Sequence, residues 1–256
     1  MDPITAGAHS FLTSYLPSPP PAPAPLPATP PALPLASFID HTLLSPSCTS
    51  RQISALCSEA RAHSFAAVCV PPAHVAACVT LLAGTPVRVC AVVGFPHGNS
   101  LPSSKAAEAA DCLSEGATEI DMVINVSNLK DLSALLSESP GGAVALIDPS
   151  TSAAAGSLVR ALHDDMEAVA AAVHRVPGAL LKVIVETCLL TPLELRLAAL
   201  AFRHARGVSP VGEAMGYIKT STGFNGAGAR VEDVRVMSDI VRDAGASVKC
   251  LNGAEW

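Results

Sequence analysis

Seven short runs of β type recur along the chain, and patterns of helical period fill the gaps between them. The runs are SFIDHTLL (37–44), AAVCV (66–70), VRVCAVVGF (87–95), TEIDMVINV (118–126), LLKVIVET (180–187), GYIKTST (216–222) and SVKCL (247–251). Their centres are 23 to 34 residues apart, the length of one βα unit, except for one gap of 62. Repeated βα units predict a parallel sheet, either a closed barrel or a doubly wound sheet. The runs are apolar almost throughout, as expected of strands covered on both faces. The 256 residues match the roughly 250 of a (β/α)₈ barrel. Only seven runs are counted, so a barrel built from them lacks its eighth βα unit and leaves strands one and seven with unpaired edges.

Helix signals punctuate the gaps. Ile53, Leu56, Cys57 and Ala60 fall at i, i+3, i+4, i+7 in residues 50–62. A helix over 103–115 is predicted to stop at Gly116. Thr191-Pro192-Leu193-Glu194 is a capping box with proline at N1, opening a helix through about Arg206. Residues 231–244 place Val231, Val234, Ile240 and Val241 on one face before Gly245. The long gap holds an Ala/Gly/Ser-rich insertion, 137–157, ahead of a helix at about 158–175. Residues 1–36 form a separate Pro-rich tail, with ten prolines among the eighteen residues 17–34. Proline lacks the N–H donor and fixes φ, so this stretch reads as extended or disordered chain. The barrel-type domain is expected over 37–256.

Composition removes several classes of function. A net charge of −6 argues against a nucleic-acid binder or a polybasic membrane binder. No apolar run reaches the ~18 residues of a membrane span. The eight cysteines are scattered, several of them inside apolar runs, and read as reduced thiols of a cytoplasmic protein. None of the eight histidines forms a ligand-spaced pair such as H-x-x-x-H, so neither metal nor cofactor is expected.

The charges inside the apolar runs carry the chemistry: Asp40, Asp121, Lys182, Glu186, Lys219 and Lys249. A buried charge must be paired or shift its pKa. Core salt bridges explain any one of these residues; three lysines and three acids on successive strands suggest a charged centre. A lysine becomes a nucleophile when its pKa falls, and a second ammonium nearby lowers it. Lys219 and Lys249 are on consecutive runs, neighbours ~4.8 Å apart in a barrel, and Thr220, Ser221 and Thr222 add hydroxyls beside the amine. That fits Schiff-base chemistry on a carbonyl. Lys182 fits the same role, and spacing alone does not choose between them.

At these residues the chain resembles the deoxyribose-phosphate aldolases. The resemblance rests on IDHTLLSP (39–46), VCVPPAHV (68–75), VVGFPHGNS (92–100), GATEIDMVINV (116–126), LKVIVETCLLT (181–191), YIKTSTGF (217–224) and VK (248–249), in family order. It implies a TIM barrel and a class I aldolase that reversibly cleaves 2-deoxy-D-ribose 5-phosphate to acetaldehyde and D-glyceraldehyde 3-phosphate. It also implies that Lys219 forms the Schiff base, Lys249 tunes it and assists proton transfer, and Asp121 relays protons. Asp40, Lys182 and Thr220 support the site. Cys69 falls where the family has a cysteine near the substrate, and it fits equally as a small core residue. No cofactor is implied; the partner is a small phosphorylated sugar, and a homo-oligomer stays open. The chain departs from the family after Lys249, where the arginine-containing turn and the phosphate-binding loops that follow are not found.

Two other readings fit the same residues. One is a non-catalytic truncated form that associates with a full-length subunit through an open edge. The other is a Schiff-base lyase acting on an unphosphorylated aldehyde through Lys182 or Lys219.

Overall fold

A computed structural model describes residues 34–138, 149–209, 211–242 and 247–249, with 149–152, 207, 208 and 247 described in their backbone alone. The tail expected over 1–36 therefore falls almost wholly outside the described residues, as do 139–148 of the insertion.

Seven strands form one parallel sheet in chain order: β1 (Asp40–Thr42), β2 (Ala67–Val70), β3 (Arg88–Val93), β4 (Glu119–Val123), β5 (Leu180–Ile184), β6 (Met215–Lys219) and β7 (Ser247–Lys249). The sheet curls through 234° of a barrel. The fold is an incomplete (β/α)₈ barrel, and the doubly wound alternative falls away because every strand pairs with its sequence neighbours.

Among the described residues, seven α-helices connect or follow the strands: α1 (Ser50–His63), α2 (Val75–Leu81), α3 (Pro102–Ser114), α4 (Val126–Glu138), α5 (Pro149–His174), α6 (Pro192–Val208) and α7 (Val231–Val241). Capping boxes start α1, through Thr49 and Gln52, and α6, through Thr191 and Glu194. The apolar face expected for α1 is the buried one, Ile53, Leu56, Cys57 and Ala60. Two expectations need correction. The helix expected from about 158 starts at Pro149, because an Ala/Ser-rich stretch is good helix once a sheet lies under it. On α7 the inward stripe is Asp233, Met237 and Val241, while Val231 is 61% exposed. Arg230 grips Asp233 with two bonds of 2.9 Å, which lets an acid take an inward position.

The period-2 alternation of strand side chains sorts the molecule into two interiors. Val68, Val70, Ala91, Val93, Ile120, Met122, Leu181, Val183 and Ile218 point outward into one large apolar core beneath the helices. Inward positions are small or charged: Ala67, Cys69, Cys90 and Val92 form a minor cluster, and Asp121, Lys182 and Lys219 stand beside it. Among the described residues, no helix is long and apolar enough to cross a membrane.

Candidate active site

The inward charges meet. Parallel register sets Asp121 beside Lys182, and Lys219 beside Lys249. Lys219 Nζ donates to Asp121 Oδ2 at 2.5 Å, and Lys182 Nζ donates to Asp121 Oδ1 at 2.9 Å. Lys182 also lies 2.5 Å from Glu119 Oε2 and 3.4 Å from Asp40 Oδ2. The ammonium of Lys249 reaches the other oxygen of Asp40 at 2.9 Å and lies 5.6 Å from the centre of the Tyr217 ring. Arg88 closes the chain of pairs on Glu119 at 2.8 Å. Three ammoniums thus face three carboxylates in the interior, with the exposed Arg88 guanidinium at the rim. Such a cluster is tolerable out of water only because each charge meets an opposite one, and removing one partner leaves the other uncompensated.

The pairings set the protonation states. Burial alone would raise the pKa of Asp121, but the ammoniums of Lys182 and Lys219 outweigh it and hold the carboxyl well below the usual range. Burial would lower the pKa of Lys219, but the Asp121 carboxylate outweighs it and keeps the amine charged. Lys182 is also charged: burial is overcome by Asp121 first, with Asp40 and Glu119 adding to it. The positive neighbour that opposes Asp121 at Lys219 is Lys182, whereas the amine of Lys249 is directed to Asp40.

The thiols lie against the same carboxylate. Cys90 Sγ donates to Asp121 Oδ1 at 3.1 Å, and Cys69 Sγ approaches Oδ2 at 3.8 Å. Burial, contact with Cys69 and the Asp121 charge push the Cys90 thiol up, so it stays protonated. Thr220 sits in the backbone ladder, its N–H on the Lys249 carbonyl at 3.1 Å and its carbonyl accepting from Thr187 N at 2.8 Å. Beyond it, Glu186 in a left-handed conformation (φ 57) accepts from Thr222 N at 3.1 Å, from the Thr222 hydroxyl and from Asn225 Nδ2 at 2.9 Å. One buried carboxylate therefore ties the loop after β6 to the end of β5.

Glu119, Cys90 and Arg88 belong to this cluster and were not among the residues expected from sequence. Glu119 precedes Asp121 by two, so strand alternation alone puts both on one face. Two cavities open at the ends of the strands, and the cluster lines one of them. One of about 500 Å³ opens at the N-terminal ends of the strands and is lined by Asp40, Arg88, Glu119, Lys182, Tyr217 and Lys249. The other, about 330 Å³, lies among the loops that leave the C-terminal ends of β3 to β6, lined by His97, Asn99, Ser127, Glu186 and Asn225 among others.

Known proteins share this arrangement of strands and sequence. A deoxyribose-phosphate aldolase from Brevibacillus brevis is 41% identical over 204 residues, 80% of this chain and 76% of the relative. One from Staphylococcus epidermidis is 39% identical over 208 residues, 81% of this chain and 78% of the relative. The tetrameric structure of deoxyribose phosphate aldolase from Aeropyrum pernix superposes with a TM-score of 0.65 at 27% identity, covering 85% of this chain and 77% of that one. No protein-family model matches the chain.

Proposed function

The chain belongs to the deoxyribose-phosphate aldolase family, aldolases that work through a lysine Schiff base, and from that premise we propose that it reversibly cleaves 2-deoxy-D-ribose 5-phosphate to acetaldehyde and D-glyceraldehyde 3-phosphate. The observation that carries the reading is that Lys219 and Lys182 share one buried carboxylate, Asp121.

Lys219 is the nucleophile in this reading. Lys182 faces three carboxylates and is fixed as a cation, whereas Lys219 faces one. Once Lys219 loses a proton, Lys182 still neutralises Asp121, and the freed amine can attack the substrate aldehyde. Loss of water leaves an iminium ion. Cleavage of C2–C3 sends its electron pair into that iminium and gives an enamine, while Asp121, through water, takes the C3 hydroxyl proton. Protonation and hydrolysis of the enamine release acetaldehyde and restore Lys219. Lys249, held by Asp40, supplies positive charge beside the reacting amine and assists proton transfer. Cys69 and Thr220 line and brace the site. The Aeropyrum pernix relative is tetrameric, and a homo-oligomer is the assembly we propose for this chain.

Borohydride trapping tests the reading. The purified chain is incubated with deoxyribose 5-phosphate and reduced, and the adduct is located by peptide mass spectrometry. An adduct on Lys219 that disappears in Lys219→Ala is the expected result. No adduct, under conditions that trap a family member of known activity, would overturn it and leave the non-catalytic, subunit-binding reading. A panel of aldehydes with and without the 5-phosphate separates the sugar phosphate from an unphosphorylated substrate.

A further inference from the structure

Away from the barrel interior, a second group of ligating side chains gathers on α5 around the buried His163. His163, Asp164 and Glu167 occupy positions i, i+1 and i+4 of α5. His163 Nδ1 lies 3.3 Å from Glu167 Oε2 and 3.8 Å from Asp164 Oδ1, and the three donor atoms are all within 4.8 Å of one another. His163 is 2% exposed, yet among the described residues neither of its ring nitrogens makes a hydrogen bond. Leaving a buried polar group unsatisfied is expensive, so such a group calls for a physical explanation. Two further contacts shape the group. Glu167 is held through its other oxygen by the Ser209 hydroxyl at 3.0 Å, which leaves Oε2 facing the imidazole. The His204 ring of α6 packs edge-on against His163 at 6.3 Å between centroids.

We propose that His163 Nδ1, Asp164 Oδ1 and Glu167 Oε2 form a binding site for a divalent transition-metal cation, with water completing the coordination. One imidazole and two carboxylates suit Mn²⁺, Co²⁺ or Zn²⁺. Asp164 is half exposed and gives the ion a path from solvent. The Ser209 contact is the outer-shell support that metal-ligating carboxylates receive. Cys69, Cys90 and Asp121 also cluster closely, but there the carboxylate is already occupied by two ammoniums that repel a cation. The site lies on the helical layer and is independent of the aldolase reading.

Mn²⁺ is the probe of choice, because thiolates favour softer metals and the cysteines then do not compete. The full chain is titrated with MnCl₂ while the electron paramagnetic resonance signal of the free ion is followed, and circular dichroism checks that each variant is folded. One ion per chain is expected. Glu167→Gln and Asp164→Asn should each weaken binding at least about tenfold, and Ser209→Ala by about 10-fold. Asp131→Asn, an exposed acid on α4, should leave binding unchanged. Saturating Mn²⁺ should raise Tm for the wild type and not for Glu167→Gln. No stoichiometric binding, or equal affinity in the wild type, Glu167→Gln and Asp164→Asn, would overturn the proposal.

Discussion

The molecule buries two lysine–aspartate sites on opposite sides of the same sheet. Behind it, Lys105 of α3 meets Asp165 of α5; inside it, Lys219 meets Asp121. All four side chains are buried. Lys105 is saturated: its ammonium donates to both oxygens of Asp165 and to the Val123 carbonyl, each at 2.8 Å. Asp165 also accepts from Asn125 N at 3.0 Å, so the pair pins the C-terminal end of the strand that carries Asp121. Burial dominates there, lowering the pKa of Lys105 and raising that of Asp165. Inside the sheet the signs reverse: two ammoniums converge on Asp121 and outweigh its burial, and the Asp121 carboxylate outweighs the burial of Lys219. A one-to-one pair in apolar surroundings can only hold structure together. Where two ammoniums share one carboxylate, one of them can give up a proton and leave that carboxylate paired.

The two pairs should answer differently to loss of their lysine. Lys219→Ala should bring the largest change, reducing turnover and borohydride trapping to background. Its thermal melt should move little, since Asp121 keeps Lys182. A melt that collapses instead would make Lys219 a structural residue. Lys105→Met should do the opposite, costing about 3–5 kcal/mol in urea unfolding because Asp165 is left as an unpaired buried charge. Lys105→Met with Asp165→Leu should recover only part of that loss, because Val123 O and Asn125 N remain unpartnered. Full recovery would show that the strand end does not depend on the pair.

Gly94→Ala should disturb the Lys105 pair less than Lys105→Met does. Gly94 has φ +63, and a Cβ there would lie 3.0 Å from Lys105 Cε. The left-handed backbone alone costs about 1–2 kcal/mol, to be read in the same unfolding assay, with trapping at Lys219 retained. The smallest effect is in the pH profile. Asp121 has its pKa depressed in the folded state, so it contributes stability that is present above its unfolded pKa of ~3.9 and lost as pH falls through the folded value. Lys219, raised in the folded state, contributes stability below ~10.4 that is lost as pH rises through its folded value. Asp121→Asn should flatten the acid limb of stability against pH; an unchanged limb would locate acid sensitivity elsewhere.

Much of the frame was legible because it is local. Strand alternation separates Lys182 from Val183 and Asp121 from Met122 without any knowledge of the fold. The capping box at Thr191 fixes a helix start within four residues of chain. The Lys105–Asp165 pair is sixty residues apart and depends on how α3 packs against α5, which no periodicity encodes. The start of α5 was hidden for a related reason: Ala, Ser and Gly are as common in linkers as in helices, and tertiary contact decides. The division of labour among the interior lysines was hidden too, since it depends on which carboxylate each amine reaches. Sequence placed Lys219 and Lys249 side by side, and the structure turns Lys249 toward Asp40.

The ammoniums gathered inside the sheet stand against the chain's net charge of −6. At long range an anionic sugar phosphate is repelled; within a few ångströms of the strand interior it meets the lysine ammoniums. Dissolved salt screens exposed charges over about 8–10 Å and buried ones much less. Added salt should therefore quicken the approach of the substrate more than it loosens its hold, the opposite of what an electrostatically steered enzyme of matching charge would show.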